Sequence, residues 1–478
     1  MDIRKIFQYI PEVTKPSEKK LDFNVKLKWT LVVLGAFFVL ANISLFGLSN
    51  NALERFEYLA IILGTDFGSI ISLGIGPIVM ASIILQLLTG AGILNIDTTT
   101  SEGKKFFQGI QKLLVFFFIV FEAMIYVLMQ GLQAAEGFTS LVIFQLILGG
   151  LAIFYMDDLT TKWGFGSGVS LFIGAGVSWR LFTSAFQFIN QEGRNCLLDF
   201  GNTACSGKVL SILQAVVNQY SWEDLVSPIG AIIATIVIFL IVVWVQSLKV
   251  EIPLSYGRIR GYGVKWPLSF FYASVIPVIL TAALVANLQL FGGLLENAAS
   301  KCLEGSCTGI ARFASYFGFL GHFIDGQAIS GFAFWVGSTN ILELLIRGGL
   351  LTRHLIQGIT HILFFAVFCT IFSIFWVKTS GMDAKAQAHK ISSSGLQVAG
   401  FRQDDRILES ILDRYIMPLT VMGGAAIGLL AASTDLLGAL VSGTAILLVI
   451  MIMFQLYQNI AQQHSVDMNP AMRKFIGG

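Results

Sequence analysis

The residues of this 478-residue chain that could do chemistry are few, and their spacing suits no catalyst. Ser167 stands between glycines in GFGSGVS, residues 164–170, but glycine is missing two places either side, so this is not the G-x-S-x-G turn that raises a serine nucleophile. Close helix packing accounts better for those glycines. His354 and His361 lack the His-Glu-x-x-His arrangement of a zinc protease. No Gly-x-x-x-x-Gly-Lys phosphate loop is present, so any energy for transport comes from a partner or a gradient. Glu122 is the odd carboxylate, set inside the apolar run FFFIVFEAMIYVLM, residues 116–129. A membrane carboxylate is expensive and is usually functional or paired. A proton relay needs a chain of ionisable groups. The neighbouring apolar runs offer only amides, Gln86 and Asn287, which would serve as its partners if those runs meet. A polar contact between helices is therefore expected over proton coupling. No catalytic residue, metal or cofactor is expected.

The elements that position these groups are membrane spans. The chain is 55% hydrophobic and 13% charged, against about a quarter charged in soluble domains. A bilayer core takes about 20 apolar residues per helix. Ten runs qualify, near 29–48, 73–93, 109–131, 138–157, 166–186, 227–248, 268–290, 352–377, 416–434 and 437–459. Residues 57–71 are too short and are broken by Thr65, Asp66 and Gly68, which suggests a re-entrant or plugging segment. Residues 327–351 are Gly-rich and interrupted by Glu343 and Arg347, and read as external.

The first 28 residues carry Lys and Arg without an apolar run, so the start reads as cytosolic with no cleavable signal. Ten spans then place both ends inside. That arrangement puts 23 Lys and Arg inside and eight outside, in the sense of the positive-inside rule. The expected organisation is a cytosolic segment 1–28, a first half 29–186, an external loop 187–226, a second half 227–459 and a cytosolic tail 460–478. The second half carries cytosolic loops 249–267 and 378–415 and an external loop 291–350. Cys196, Cys205, Cys302 and Cys307 all fall in external loops. One or two disulfides follow from an oxidising side, with Cys196–Cys205 and Cys302–Cys307 the simplest pairing. A zinc site matches common spacings less well, and four free thiols stay open.

A repeat relates the second and seventh spans. Placing Pro77 over Pro277 aligns Val79 with Ile279 and brings Gln86 near Asn287. Gly/Pro-interrupted segments at matching places in two halves often mark a transport pathway. Irregular backbone at membrane depth survives only where protein or water covers it, so residues 57–77, with Gly74, Gly76 and Pro77 at their end, should line an interior. Two inside loops are basic. Arg258 and Arg260 sit in a Gly-Arg-Ile-Arg-Gly tip, and Arg402 lies mid-way along the second loop. Exposed arginine between glycines suits phosphate or acidic groups, and a large polyanionic partner, ribosomal RNA included, fits.

Taken together the stretches resemble the SecY family, the alpha subunit of the protein-conducting translocon, in its archaeal branch. They are IPEV (10–13), LKWT (27–30), LGIGPIV (73–79), QLLTGAGI (86–93), FQGIQKLL (107–114) and GSGVSLFIGAGVS (166–178). VEIPLSYGRIRG (250–261), IPVILTAALVANLQL (276–290), the Arg402 loop and GALVSGTAILL (438–448) follow in family order. The resemblance implies an all-α polytopic membrane protein of ten helices, in two pseudo-symmetric five-helix halves around an hourglass pore. The narrow point would be a ring of Ile75, Val79, Val169, Ile173, Ile279 and Leu448. The plug would be about 57–70, joined to the second span at Gly74, Gly76 and Pro77. The lateral gate would lie between the second/third and seventh/eighth helices, with Glu122, Asn287 and Gln86 as its polar cluster. Met80 stands where the family often has Thr. Arg258, Arg260 and Arg402 match arginines used with ribosomes. Implied partners are SecE-type (gamma) and beta-type small subunits, the ribosome, nascent polypeptides with signal sequences, the bilayer, and indirectly the signal recognition particle receptor. The implied place is the cytoplasmic membrane, and the implied function is a protein channel that does no covalent chemistry. The repeats and Glu122 also suit a secondary transporter of small solutes, but such a carrier needs convergent polar groups at the midplane.

Overall fold

The computed structural model describes residues 11–17, 21–51, 66–90, 93–94, 96, 100–129, 131–189, 195–198, 205–218, 222–256, 263–273, 275–303, 316–324, 327–393, 396–398 and 405–468. The first part of the chain forms α1 (Phe23–Ala41), β1 (Leu48–Asn51), α2 (Gly76–Gly90), α3 (Ser101–Leu128), β2 (Leu132–Ala134), α4 (Thr139–Trp163) and α5 (Gly168–Phe186). A short helix, α6 (Lys208–Asn218), leads to the remainder. That comprises α7 (Trp222–Gln246), β3 (Lys249–Tyr256), β4 (Gly263–Ser269), α8 (Ile276–Leu303), β5 (Phe323–Ile324) and β6 (Gln327–Ala328). Then follow α9 (Phe332–Val336), α10 (Ile341–Ile346), α11 (Thr352–Thr379), α12 (Ala384–Ser393), β7 (Leu396–Val398), α13 (Asp405–Leu436) and α14 (Gly443–Met468).

Among the described residues nine helices are long and apolar enough to cross a membrane: α1, α3, α4, α5, α7, α8, α11, α13 and α14. α2, where the tenth span is expected, has 15 residues and so reaches only about 22 Å of a hydrocarbon core of roughly 30 Å. The start of α2 is wholly buried over Gly76–Val79, while Leu87 and Gly90 near its other end are exposed. The chain before it runs through successive turns, in which the Ser72, Gly74 and Gly76 N–H groups donate to the Ser69, Ile71 and Leu73 carbonyls. Residues 71–79 are buried throughout. Non-helical backbone is thus satisfied and covered by protein.

Several boundaries differ from the apolar runs. The seventh span was expected over 268–290, but α8 starts at Ile276, and 263–269 form β4. Proline at 277 favours a helix start there, because its ring disfavours helical backbone in the residue before it and its missing N–H costs least in a first turn. α8 continues to Leu303, so the expected external loop 291–350 begins as helix and also contains the β5–β6 hairpin, α9 and α10. The run 29–48 becomes a helix over Phe23–Ala41, with Leu48 paired to Ala134 in a small sheet. Loop 187–226 contains α6 and the start of α7.

One large apolar cluster joins α2, α3, α4, α5, α8, α11, α13 and α14, with α8 the most buried of the long apolar helices and α1 the least. A second, smaller core lies in the expected cytosolic loops. β3 pairs antiparallel with β4 and β7, so the two basic loops share one sheet. Ile252 and Leu268 from this sheet pack with Ala388 and Ile391 of α12 and with Leu408 and Leu412 of α13. The Tyr272 hydroxyl donates to the Met382 carbonyl at 2.7 Å and ties the two loops together. Alternating side chains in KVEIPLSY carry the strand signal.

Candidate pore site

The site begins at two helix starts of the same design. In α2, the Ile78 and Val79 N–H groups donate to the Ile75 carbonyl at 3.1 and 3.0 Å. In α8, the Val278 and Ile279 N–H groups donate to the Val275 carbonyl at 3.1 and 3.2 Å. Pro77 and Pro277 are each the second helical residue, inside a first turn whose N–H groups have no intrahelical acceptor, so the missing donor costs nothing. Neither proline kinks a helix; each opens one. Gly74, at φ +52°, makes the left-handed bend before α2 that a side chain would resist. Gly76 is required for a different reason. A Cβ there would stand 3.0 Å from Glu122 Oε2, so the carboxylate of α3 rests directly on the backbone of the α2 start.

Four segments carry the six apolar residues expected at a constriction. Ile75 and Val79 come from the α2 start, Val169 and Ile173 from α5, Ile279 from α8 and Leu448 from α14. All six belong to the large cluster. Five of them are at most 3% exposed, while Val169 is half-buried. All six side chains are aliphatic and carry no polar atom. A ring of such side chains resists water and ions by dewetting.

α5 is held at its start by a residue that sequence reasoning did not single out. Asp157, at the end of α4, accepts a hydrogen bond from the Val169 N–H at 3.0 Å. Gly168 permits the approach, since a Cβ there would lie 2.8 Å from Asp157 Oδ1. The signal lay in two adjacent carboxylates closing an apolar span, followed by Gly-Ser-Gly. Asp158 joins a second network. Lys162 Nζ sits 2.8 Å from Asp158 Oδ2 and 3.3 Å from Glu12 Oε2, and Lys112 Nζ lies 2.7 Å from Glu12 Oε1. The Lys112 ammonium, bonded to Glu12, is the main cause that holds that carboxyl below its ordinary value. The Val13 N–H donates to Asp158 and its carbonyl accepts from Lys162, so residues 12–13 are strapped across the ends of α3 and α4.

α2 packs on α3, α8 and α11, and α8 packs on α11. The Phe375 ring of α11 lies against Gly90, where a Cβ would meet it at 2.5 Å. The Cys369 thiol donates to Thr281 Oγ1 at 3.3 Å across α11 and α8. The polar partnership expected for Glu122 is not made. Glu122, Gln86 and Asn287 are all buried. Neither Glu122 oxygen has a hydrogen-bond partner, and the same is true of Gln86 Oε1 and Asn287 Oδ1. Asn287 Nδ2 instead donates to Ala283 on its own helix. Helix geometry is the reason. Glu122 sits at Gly76, and Gln86 is ten residues further along α2, a rise of about 15 Å.

Cys196 and Cys205 form a disulfide with Cα atoms 5.3 Å apart. Cys302 lies in the last turn of α8, and Cys307 lies outside the described residues, as do Arg258, Arg260 and Arg402. Of the segment 57–70 only 66–70 is described. Asp66 pairs with Arg180 of α5 at 3.5 Å, and Asn51 Nδ2 donates to the Phe67 carbonyl. Among the described residues no group of three or more His, Cys, Asp or Glu side chains is placed to hold a metal.

A profile of the SecY family matches residues 69–457. The chain belongs to the SecY family. A protein translocase subunit SecY of Methanothermobacter thermautotrophicus is 38% identical over 99% of this chain and 98% of its own length. A solved structure described as that of a protein conducting channel is 34% identical, with a TM-score of 0.80 and 98% of each chain covered. Sec61 in a canine ribosome–channel complex from the endoplasmic reticulum is 34% identical, with a TM-score of 0.76 and 98% of each chain covered. SecY-family membership and the helices long enough to cross a bilayer make this a multi-pass membrane protein.

Proposed function

We propose that this chain is the pore-forming subunit of a protein translocation channel, passing unfolded secretory polypeptides across the membrane and releasing apolar segments sideways into lipid. The observation that carries this reading is the gathering of Ile75, Val79, Val169, Ile173, Ile279 and Leu448 from both halves into one apolar cluster. Side chains of this kind seal by dewetting and can flex around a passing chain. A small-solute carrier would instead present converging polar groups at the midplane. The chain works as a channel and not as an enzyme.

Residues 57–70 serve as the plug, held through Asp66 to the helix that carries Val169 and Ile173. The seam of α2 and α3 against α8 and α11 serves as the lateral gate. Both Glu122 oxygens, Gln86 Oε1 and Asn287 Oδ1 are buried acceptors along it without a hydrogen-bond partner, and a signal sequence or water entering the seam would supply donors. Arg258, Arg260 and Arg402 meet the ribosome. SecE-type and beta-type small subunits complete the channel in the cytoplasmic membrane, with both termini cytosolic, and the signal recognition particle receptor delivers substrates indirectly.

The test is a photocrosslinker at position 79 or 279 in the reconstituted complex, engaged by a ribosome carrying a stalled secretory chain. A crosslink to the translocating chain is expected. No crosslink, together with saturable uptake of a small solute, would overturn the reading.

A further inference from the structure

We infer that α6 and residues 196–198, which the Cys196–Cys205 disulfide links to the segment just before α6, form an interfacial membrane anchor, with their apolar face set in the acyl–headgroup boundary of the leaflet on their side. This places at the lipid boundary a segment that the sequence reading assigns to the external loop 187–226.

The polarity of α6 is inverted for a helix in water. Its amide Gln214 and small Ala215 face inward, at 2% and 5% exposure, while Leu213, Val216 and Val217 face outward at 53%, 63% and 67%. Those three recur at the i, i+3, i+4 spacing of one helix face. A water-exposed helix would turn its polar face out. Gln214 has a task inside, because its Oε1 accepts the Cys205 N–H at 3.0 Å and so receives one end of the disulfide. Beside the other end, Leu197 and Leu198 stand at 53% and 87% exposure.

This unit is fastened to a span. The Cys196 N–H donates to the Phe188 carbonyl, and the Gly207 N–H donates to the Gln187 carbonyl just past the end of α5. α6 packs on both α5 and α7. α5 presents Trp179, Phe182 and Phe186 outward before it ends, so exposed apolar side chains continue from a membrane helix into residues 196–198 and α6. That continuity selects lipid as the occupant. With 11 residues, about 16 Å, α6 is too short to cross and has the form of an interfacial helix. Lys208 at its start is exposed, and its long stem can carry the ammonium out to the headgroups.

The test uses the full chain reconstituted in phosphatidylcholine–phosphatidylglycerol vesicles, with Cys302, Cys307 and Cys369 replaced by Ser. A nitroxide is placed at Val217→Cys and, in a second protein, at Lys208→Cys. The label at 217 is expected to favour collision with oxygen over a water-soluble nickel chelate, at a depth of roughly 5–10 Å below the phosphates. The label at 208 should show the reverse preference. Equal nickel access at both sites would put the face in water. Shielding of 217 from both reagents, or a 217–217 crosslink between copies, would put protein on it. Either result overturns the inference.

Discussion

Replacing Leu448 with alanine tests whether the apolar cluster is a seal. Leu448 is 0% exposed and belongs to the cluster that joins α2, α5, α8 and α14. The change removes three carbon groups, so at about 0.8 kcal/mol each the closed packing loses about 2.4 kcal/mol relative to an arrangement in which the ring is already parted. At tenfold per 1.4 kcal/mol, the closed-to-open ratio falls by about fiftyfold. Leu447→Ala is the control. Leu447 is equally buried, and its side chain points about 100° away around α14. Both variants should lose comparable thermal stability, but only Leu448→Ala should raise resting ion conductance in planar bilayers by more than an order of magnitude. A Leu448→Ala protein that is folded and no leakier than Leu447→Ala would refute the assignment of Leu448 to the constriction.

Gly76→Ala should destabilise the closed channel by about 1–3 kcal/mol, because its methyl group meets Glu122, and Glu122→Ala should restore most of that loss in a double-mutant cycle read by thermal unfolding in detergent. Asp157→Ala should cost about 1–2 kcal/mol through loss of the bond to the Val169 N–H, with Asp157→Asn milder because it keeps an acceptor, both measured by the same melt and by ion leak. For Glu12 the folded pKa is depressed, so its contacts with Lys112 and Lys162 hold fully above the ordinary carboxyl value and are lost as pH falls through the lowered one. Protease access to residues 11–17 should rise on acidification in the native protein and be higher at neutral pH, with a smaller rise on acidification, in Glu12→Gln, where the Val13 contacts with Asp158 and Lys162 remain. Deleting residues 57–67 should leave the protein folded but leakier at rest, and unchanged conductance would count against that segment as the plug.

Span number was legible because a bilayer demands long apolar runs, and the pairing of Pro77 with Pro277 was legible because the first turn of a helix tolerates proline best; Pro228 and Pro418, which lie inside α7 and α13, show that proline position alone does not mark a start. The ends of those spans were less so. Hydropathy does not distinguish an apolar turn from an apolar helix, so the apolar runs read as helix from about 73 and 268 until the hydrogen bonds to the Ile75 and Val275 carbonyls set the starts near 76 and 276. The basic loops read as loops because their core, around Ile252, Leu268 and Leu412, is assembled from segments more than a hundred residues apart.

The amino-acid sequence by itself determined the membrane class, the repeat, the family and the aliphatic character of the six residues proposed for the constriction. It did so because apolar length, proline position and residue order are local properties. Which side chains meet was decided only by tertiary structure. Glu122 lies against Gly76 and not against Gln86, and Asp157 fastens the helix of Val169 and Ile173. Gln214 turns inward while Leu213, Val216 and Val217 turn out. Each depends on how helices are stacked and rotated against one another, and that follows from packing over the whole chain.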